Sequence, residues 1–317
     1  MSQAAAPLRS LAPVSFREFS RDFEGFAKAL GDSFARYGFA VIADHGIPQG
    51  RIDAALTSAK RFFALPDPAK LKYRLPVMGQ RGYTPFGVET AKGETHYDLK
   101  EFWHVGRDLP AGHRYRDHMP DNAWPDADVP GFHETVGWLY GALDAMGLKV
   151  LEAIASWLGL ERRFFDPTVA EGNSILRLLH YPPVPKDGPH IRAAAHEDIN
   201  VITLLLGAEE AGLEVKDRDG GWLPINPPPG SLVCNIGDML QRLTNDKLPS
   251  TTHRVVNPAP ERRRYPRYST PFFLHFNSDY VIRTLPNCID AAHPDRYAEP
   301  ITANDYLQER LREIKLA

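Results

Sequence analysis

Cysteine is almost absent. Only Cys234 and Cys288 occur in 317 residues. Two are too few for a disulfide framework, so the chain reads as an intracellular, cytoplasmic protein. No charge of one sign dominates: 37 Lys plus Arg stand against 40 Asp plus Glu, a net charge of −3. That balance excludes a dedicated nucleic-acid binder, which carries a clustered basic excess. Long apolar runs are also missing. The longest clean one, Val201 to Leu206, falls far short of the ~18 residues a membrane span needs. The first ten residues show no continuous apolar stretch of the secretory kind. Internal repeats, low-complexity segments and coiled-coil heptads are absent as well, and nothing in the sequence fixes an oligomeric state.

Proline, by contrast, is abundant: 28 in 317 residues, against a usual ~5%. Such an excess disfavours a helical bundle and favours short segments joined by turns. The first half still shows helical periodicity. Phe19, Phe23, Phe26, Leu30 and Phe34 mark one apolar face over residues 16–37. Residues 39–43 read as a short buried strand, residues 48–63 as a second helix, and 131–158 as the best helix of the chain. Residues 77–110, rich in Gly, aromatics and charge, read as loops and short strands. From Ser174 onward short β-rich runs alternate with Pro-Pro, Asn-Pro and Asp219-Gly220-Gly221, a hairpin signal. Residues 301–315 return to helix. The fold class is therefore α+β with a β core, a sandwich or barrel braced by helices at both ends.

The chemistry concentrates in His196-Glu197-Asp198. Residues two apart on a strand share a face, so His196 and Asp198 can converge while Glu197 points away. His253 opens a later strand and supplies a third ligand. Two imidazoles and one carboxylate, with open positions opposite, suit Fe(II) oxygen chemistry. A lone His-x-Asp arises easily by chance; Arg267-Tyr268-Ser269 sharpens the reading. Arg267 and Ser269 share a strand face with Phe273, and a guanidinium beside a hydroxyl makes a carboxylate clamp. Arg262, Arg263 and Arg264 read as a solvated loop, whereas Arg267 enters an apolar strand and needs a partner there.

These motifs resemble the isopenicillin N synthase-like branch of the Fe(II)/2-oxoglutarate-dependent dioxygenases. The resemblance runs through residues 37–48, His196-Glu-Asp198, Asn235 to Asn245, Ser250 to Pro258 and Arg267 to Phe273, in the family order. It implies a double-stranded β-helix, or jelly roll. Residues 1–165 would be a helical and loop-rich N-terminal region, 166–285 the core, and 286–317 a C-terminal extension. It implies His196, Asp198 and His253 as iron ligands, with Arg267, Ser269 and Tyr181 on the distal carboxylate of 2-oxoglutarate. Leu179 stands where many plant members carry an Asn that touches the proximal carboxylate. His45 and Asp238 match the pattern as structural residues. The implied reaction takes Fe(II), 2-oxoglutarate and O2. It couples decarboxylation of 2-oxoglutarate to succinate and CO2 with hydroxylation or desaturation of a small molecule.

The substrate is less legible. Arg81, Tyr83, Trp103 and Phe273 are candidate substrate contacts, with Glu89, His96 and His104 behind them. Alternatives are an iron oxidase that dispenses with 2-oxoglutarate, as isopenicillin N synthase does, an ethylene- and succinate-forming enzyme acting on arginine and 2-oxoglutarate, and a non-enzymatic β-barrel binding module. Nothing calls for nucleic acid or membrane.

Overall fold

The computed structural model describes residues 11–75, 81–88, 97–185, 192–206 and 212–313. The N-terminal elements are β1 (Pro13–Ser15), α1 (Glu18–Arg21), α2 (Phe23–Tyr37), β2 (Phe39–Ala43), α3 (Gln49–Phe63), α4 (Asp67–Leu71), β3 (Gly82–Thr84), β4 (Glu101–Gly106) and α5 (Phe132–Trp157). The helix expected over 16–37 is thus divided. Asp22 leaves helical geometry (φ −144°, ψ 77°), and its side chain accepts from the Gly25 amide at 3.0 Å, capping α2. Within the 77–110 stretch read as loops, β4 is a fully buried strand.

The second half continues with α6 (Asp166–Val169), β5 (Ile175–Tyr181), β6 (Ala193–His196), β7 (Ile202–Leu206), β8 (Leu213–Lys216), β9 (Trp222–Pro224), β10 (Leu232–Ile236), α7 (Asp238–Leu243), β11 (His253–Val255), β12 (Arg267–Leu274), β13 (Val281–Ile282), β14 (Ile301–Thr302) and α8 (Ala303–Glu313). Eight strands form one sheet in the order β1-β2-β10-β7-β12-β5-β4-β3, and four form a second in the order β6-β11-β8-β9. The β8–β9 hairpin turns through Gly220 at φ 84°, as Asp219-Gly220-Gly221 leads one to expect. β13 and β14 form a separate two-stranded sheet, whose Ile282 is buried in the main core. The N-terminal strands are not a separate layer: β1 and β2 extend the large sheet beyond β10, and β3 and β4 extend it beyond β5.

Strand alternation assigns every residue of the large sheet to one of two environments. Outward positions join one core with α2, α3 and α5: Ala40 and Ile42, Trp103 and Val105, Leu176 and Leu178, Ile202 and Leu204, Cys234 and Ile236, Phe272 and Leu274. The 26-residue α5 runs about 39 Å at ~1.5 Å per residue and braces this face. Inward positions include Phe39, Thr203, Asn235, Arg177, Leu179, Tyr181, Arg267, Ser269 and Phe273, and these line a cleft shared with β6 and β11 of the second sheet.

One glycine fixes how closely the connecting loops approach. A Cβ on Gly237 would lie 2.1 Å from the backbone oxygen of Asn200, and the Gly237 amide donates to Val201 O at 2.9 Å. Backbone cannot yield as a side-chain tip can. Gly237→Ala is therefore expected to cost about 1–3 kcal/mol through overpacking, read as a lowered urea midpoint at unchanged slope. An unchanged midpoint would refute this account of the contact.

Candidate metal centre and its cleft

His196 closes β6 and His253 opens β11, and the two are partners across that antiparallel pair. Their ring centroids lie 4.4 Å apart. Nδ1 of His196 donates to Ala194 O at 2.8 Å, and Nδ1 of His253 to Thr251 O at 3.1 Å. Each bond orients its ring and turns Nε2 toward the cleft. Phe39 of β2 sets its ring edge-on to His253 at 5.4 Å.

Asp198 departs from the expected shared strand face, because β6 ends at His196 and Asp198 lies in the link to β7. Hydrogen bonds place it instead. Its backbone oxygen accepts from the Asp238 amide at 2.8 Å. Its Oδ2 accepts from Thr203 Oγ1 at 2.5 Å and from Asn235 Nδ2 at 2.8 Å. Asn200 Nδ2 in turn donates to Thr203 Oγ1 at 3.1 Å. With Oδ2 so engaged, Oδ1 is the atom turned to the imidazoles, 4.0 Å from His196 Nε2 and 3.9 Å from His253 Nε2.

The electrostatics match a cation site. Burial drives the Asp198 carboxyl upward, but the two imidazoles and the Asn235 and Thr203 donors outweigh it and hold the group below its ordinary value. Burial, reinforced by His253, pushes the His196 imidazolium down to about 4, so the ring is a neutral ligand at pH 7. One ligand atom from each of the three residues lies within 4.8 Å of the others. A buried carboxylate beside the neutral His196 ring is short of positive charge, and a divalent ion supplies it.

The opposite wall carries the residues expected to clamp a carboxylate. Arg267 and Ser269 point into the cleft from β12, with Tyr181 directly across from Arg267 and Leu179 across from Ser269. Arg267 is only 2% exposed, and its guanidinium lies 5.2 Å from the centre of the Tyr181 ring. Phe273 continues the same face.

Three expected substrate contacts are not brought here. Arg81 is buried against Gly106 and donates to Asn173 Oδ1 at 3.1 Å. Tyr83 donates its hydroxyl to Glu101 at 2.5 Å. Trp103 is fully buried, 4.6 Å from the Phe62 ring centre. Strand parity is the reason: on β4 it is Phe102 and His104 that turn inward, and Trp103 outward. Glu89 and His96 lie outside the described residues. The cleft instead contains Lys100, Arg177 and Phe39, which the sequence reading passed over. Parity offered a signal for Arg177, since it lies four residues before Tyr181 on one strand and must share its face. His45 is buried, with Nδ1 accepting from the Ile47 amide at 3.1 Å, a turn-forming role. Asp238 opens α7 and faces Arg310 of α8 at 3.6 Å.

Comparison with known proteins gives a consistent picture. Residues 172–276 match the 2OG-Fe(II) oxygenase superfamily, and residues 7–127 match the N-terminal region of non-haem dioxygenases of morphine synthesis. A 2-oxoglutarate-Fe(II) type oxidoreductase of Emericella nidulans, hxnY, is 35% identical over 97% of this chain and 90% of its own length. The crystal structure of a 2OG-Fe(II) oxygenase family protein from Caulobacter crescentus is 68% identical, covers 96% of this chain and 99% of that one, and superposes with a TM-score of 0.90. A full-length Neurospora crassa protein, solved in complex with alpha-KG and thymine, is 30% identical over 98% of this chain and 99% of its own, with a TM-score of 0.85.

The bonds to Asp198 Oδ2 yield a prediction. Asn235→Leu or Thr203→Val removes one donor and frees the carboxylate to rotate, so Fe(II) affinity should fall about 10- to 100-fold. Competition with a chelator measures it. Affinity within twofold of the parent protein would show that these residues do not orient the ligand.

Proposed function

The chain belongs to the 2OG-Fe(II) oxygenase superfamily, and on that premise we propose the residue roles by which it works. It is an Fe(II)- and 2-oxoglutarate-dependent dioxygenase of the isopenicillin N synthase-like branch, with a β core of the double-stranded β-helix type, and acts on a small molecule. Among the described residues no helix is long and apolar enough to cross a membrane. The observation that carries the proposal is the meeting of two sites in one cleft, the triad of His196, Asp198 and His253 on one wall and the Arg267–Ser269 pair on the other.

In this proposal His196 Nε2, Asp198 Oδ1 and His253 Nε2 hold Fe(II). Arg267, Ser269 and Tyr181 hold the distal carboxylate of 2-oxoglutarate. A guanidinium pairs with a carboxylate through parallel N–H bonds, and burial in low-dielectric surroundings strengthens them. Iron and 2-oxoglutarate together supply O2 activation, with 2-oxoglutarate leaving as succinate and CO2 and the substrate hydroxylated or desaturated. The chain's own part is to orient the co-substrate and to keep water from the reacting atoms. Leu179 contributes no donor, only an apolar surface opposite Phe102. Residues 166–285 form the catalytic core and the N-terminal region completes its sheet. The thymine bound in the Neurospora crassa relative supports a compact, flat small molecule as the kind of primary substrate.

Two measurements test the roles. Arg267→Ala removes charged hydrogen bonds worth ~1.5–3 kcal/mol, so the Michaelis constant for 2-oxoglutarate should rise about 10- to 100-fold while Fe(II) affinity stays within twofold. An unchanged Michaelis constant overturns the clamp. Succinate formed in equimolar amount to oxidised substrate is expected; product without succinate would favour an oxidase of the isopenicillin N synthase type.

A further inference from the structure

Asp198 and His253 reach the cleft from segments that share one mount, α7. Three successive amides at its start hold the link that carries Asp198. Gly237 N donates to Val201 O at 2.9 Å, Asp238 N to Asp198 O at 2.8 Å, and Met239 N to Asn200 O at 3.1 Å. Further along, Gln241 Oε1 accepts from the amide of Ser250 at 2.7 Å, three residues before His253. A helix of six residues is too short to be stable by itself. Its place must come from what it packs against.

One face of α7 is apolar: Met239, Leu240 and Leu243 are sunk in the main core. Asp238, Gln241 and Arg242, at i, i+3 and i+4, share another face, and each meets the last part of the chain. Gln241 Nε2 donates to Tyr297 Oη at 3.5 Å, and Arg242 donates to Glu299 O. Asp238 Oδ2 accepts from Tyr306 Oη at 3.4 Å and faces Arg310 Nη2 at 3.6 Å. Tyr306 and Arg310 stand four apart on α8, on one face of that helix. The start of α8 is tied down independently, by Ala303 N to Tyr280 O at 2.9 Å and Asn304 N to Ser278 O at 3.0 Å. Asp238 is thus a joint, with its amide turned to Asp198 and its carboxylate to α8. It is buried, so the ion pair it makes with Arg310 is weakly screened.

Resting on the dioxygenase reading, we infer that Tyr306 and Arg310 are positioning residues for the iron site, acting through Asp238. Docked on its carboxylate, they hold the α7 amides against the carbonyls of the Asp198 link. That keeps Asp198 Oδ1 aimed between the two imidazoles. When α8 loosens, α7 gains freedom, the Asp198 link moves with it, and the metal is released sooner. Retention of iron is in this way set in part by the last helix of the chain, which supplies no ligand.

The test uses the full chain loaded with Fe(II) under argon, with release of the metal followed after mixing with excess chelator. Arg310→Gln combined with Tyr306→Phe should speed release about 3- to 10-fold, less than the ~10- to 100-fold expected for a direct partner of a ligand. Tyr306→Phe alone keeps the ring packing and should move release the same way by a smaller factor, which decides the matter should the double variant fail to fold by circular dichroism. Arg310→Lys keeps the charge and should stay within twofold of the parent protein. Val136→Ala, in the core of α5, serves as the comparator for general destabilisation: it should lower the urea midpoint and leave release within twofold. Release within twofold in every α8 variant, or equal acceleration by Val136→Ala, would overturn the inference. The visible charge-transfer band formed when 2-oxoglutarate is added to the iron-loaded protein reports separately on the dioxygenase reading. Its absence would sink that reading, while the release rates would still decide the role of α8.

Discussion

The structure around the cleft depends on one buried carboxylate. Asp198 sits among apolar strands, and an ionised group there is costly unless its oxygens are bonded and its charge is met. Thr203 and Asn235 satisfy one oxygen. Two imidazoles face the other. The surrounding elements serve this arrangement: β7 carries Thr203, β10 carries Asn235, and the start of α7 supplies the amide that holds the Asp198 backbone. An anion so placed has one natural counterion, a divalent metal shared with the histidines. Folding and metal binding are therefore linked, because the ion relieves the electrostatic cost that the fold creates.

The same two-residue period that builds the core builds the active cleft. On β12, Tyr268, Phe272 and Leu274 pack toward the helices, while Arg267, Ser269 and Phe273 face the iron ligands. A shift of one residue would exchange those sets. It would turn a guanidinium toward the helices and replace it in the cleft with an apolar-face residue, so the hydrophobic core itself enforces the register of the cleft.

Much of this was legible in the sequence, and the failures share a cause. His253, Arg267 and Ser269 announced themselves because polar residues in apolar β runs demand partners. The long helix was legible from its apolar stripe. The link carrying Asp198 was not, because its position comes from bonds to Thr203 nearby and to the distant Asn235 and Asp238 rather than from a local period. Asp22 divides a helix through a side-chain cap that apolar periodicity does not register. Trp103 and Tyr83 looked like binding aromatics, yet their parity could be set only by knowing which residues of β5 lie opposite β4. That pairing joins residues 69 to 79 positions apart, and nothing in the 77–110 stretch itself encodes it. Arg177 stands between leucines, unmarked by any motif, although Tyr181 on the same strand fixes the direction it faces.

The division of the sheet has a consequence for how the protein comes into being. β2 covers one side of β10, and β4 covers one side of β5. A ribosome releases those covering strands first, so each must wait with one edge open until the later strands emerge to receive it. The core made alone would instead offer two bare edges, each ready to recruit a neighbouring chain. Phe39, resting on His253, makes the wait visible at the metal: the iron site is finished only when the beginning of the chain finds its end. The N-terminal region is in this sense an internal chaperone that never leaves.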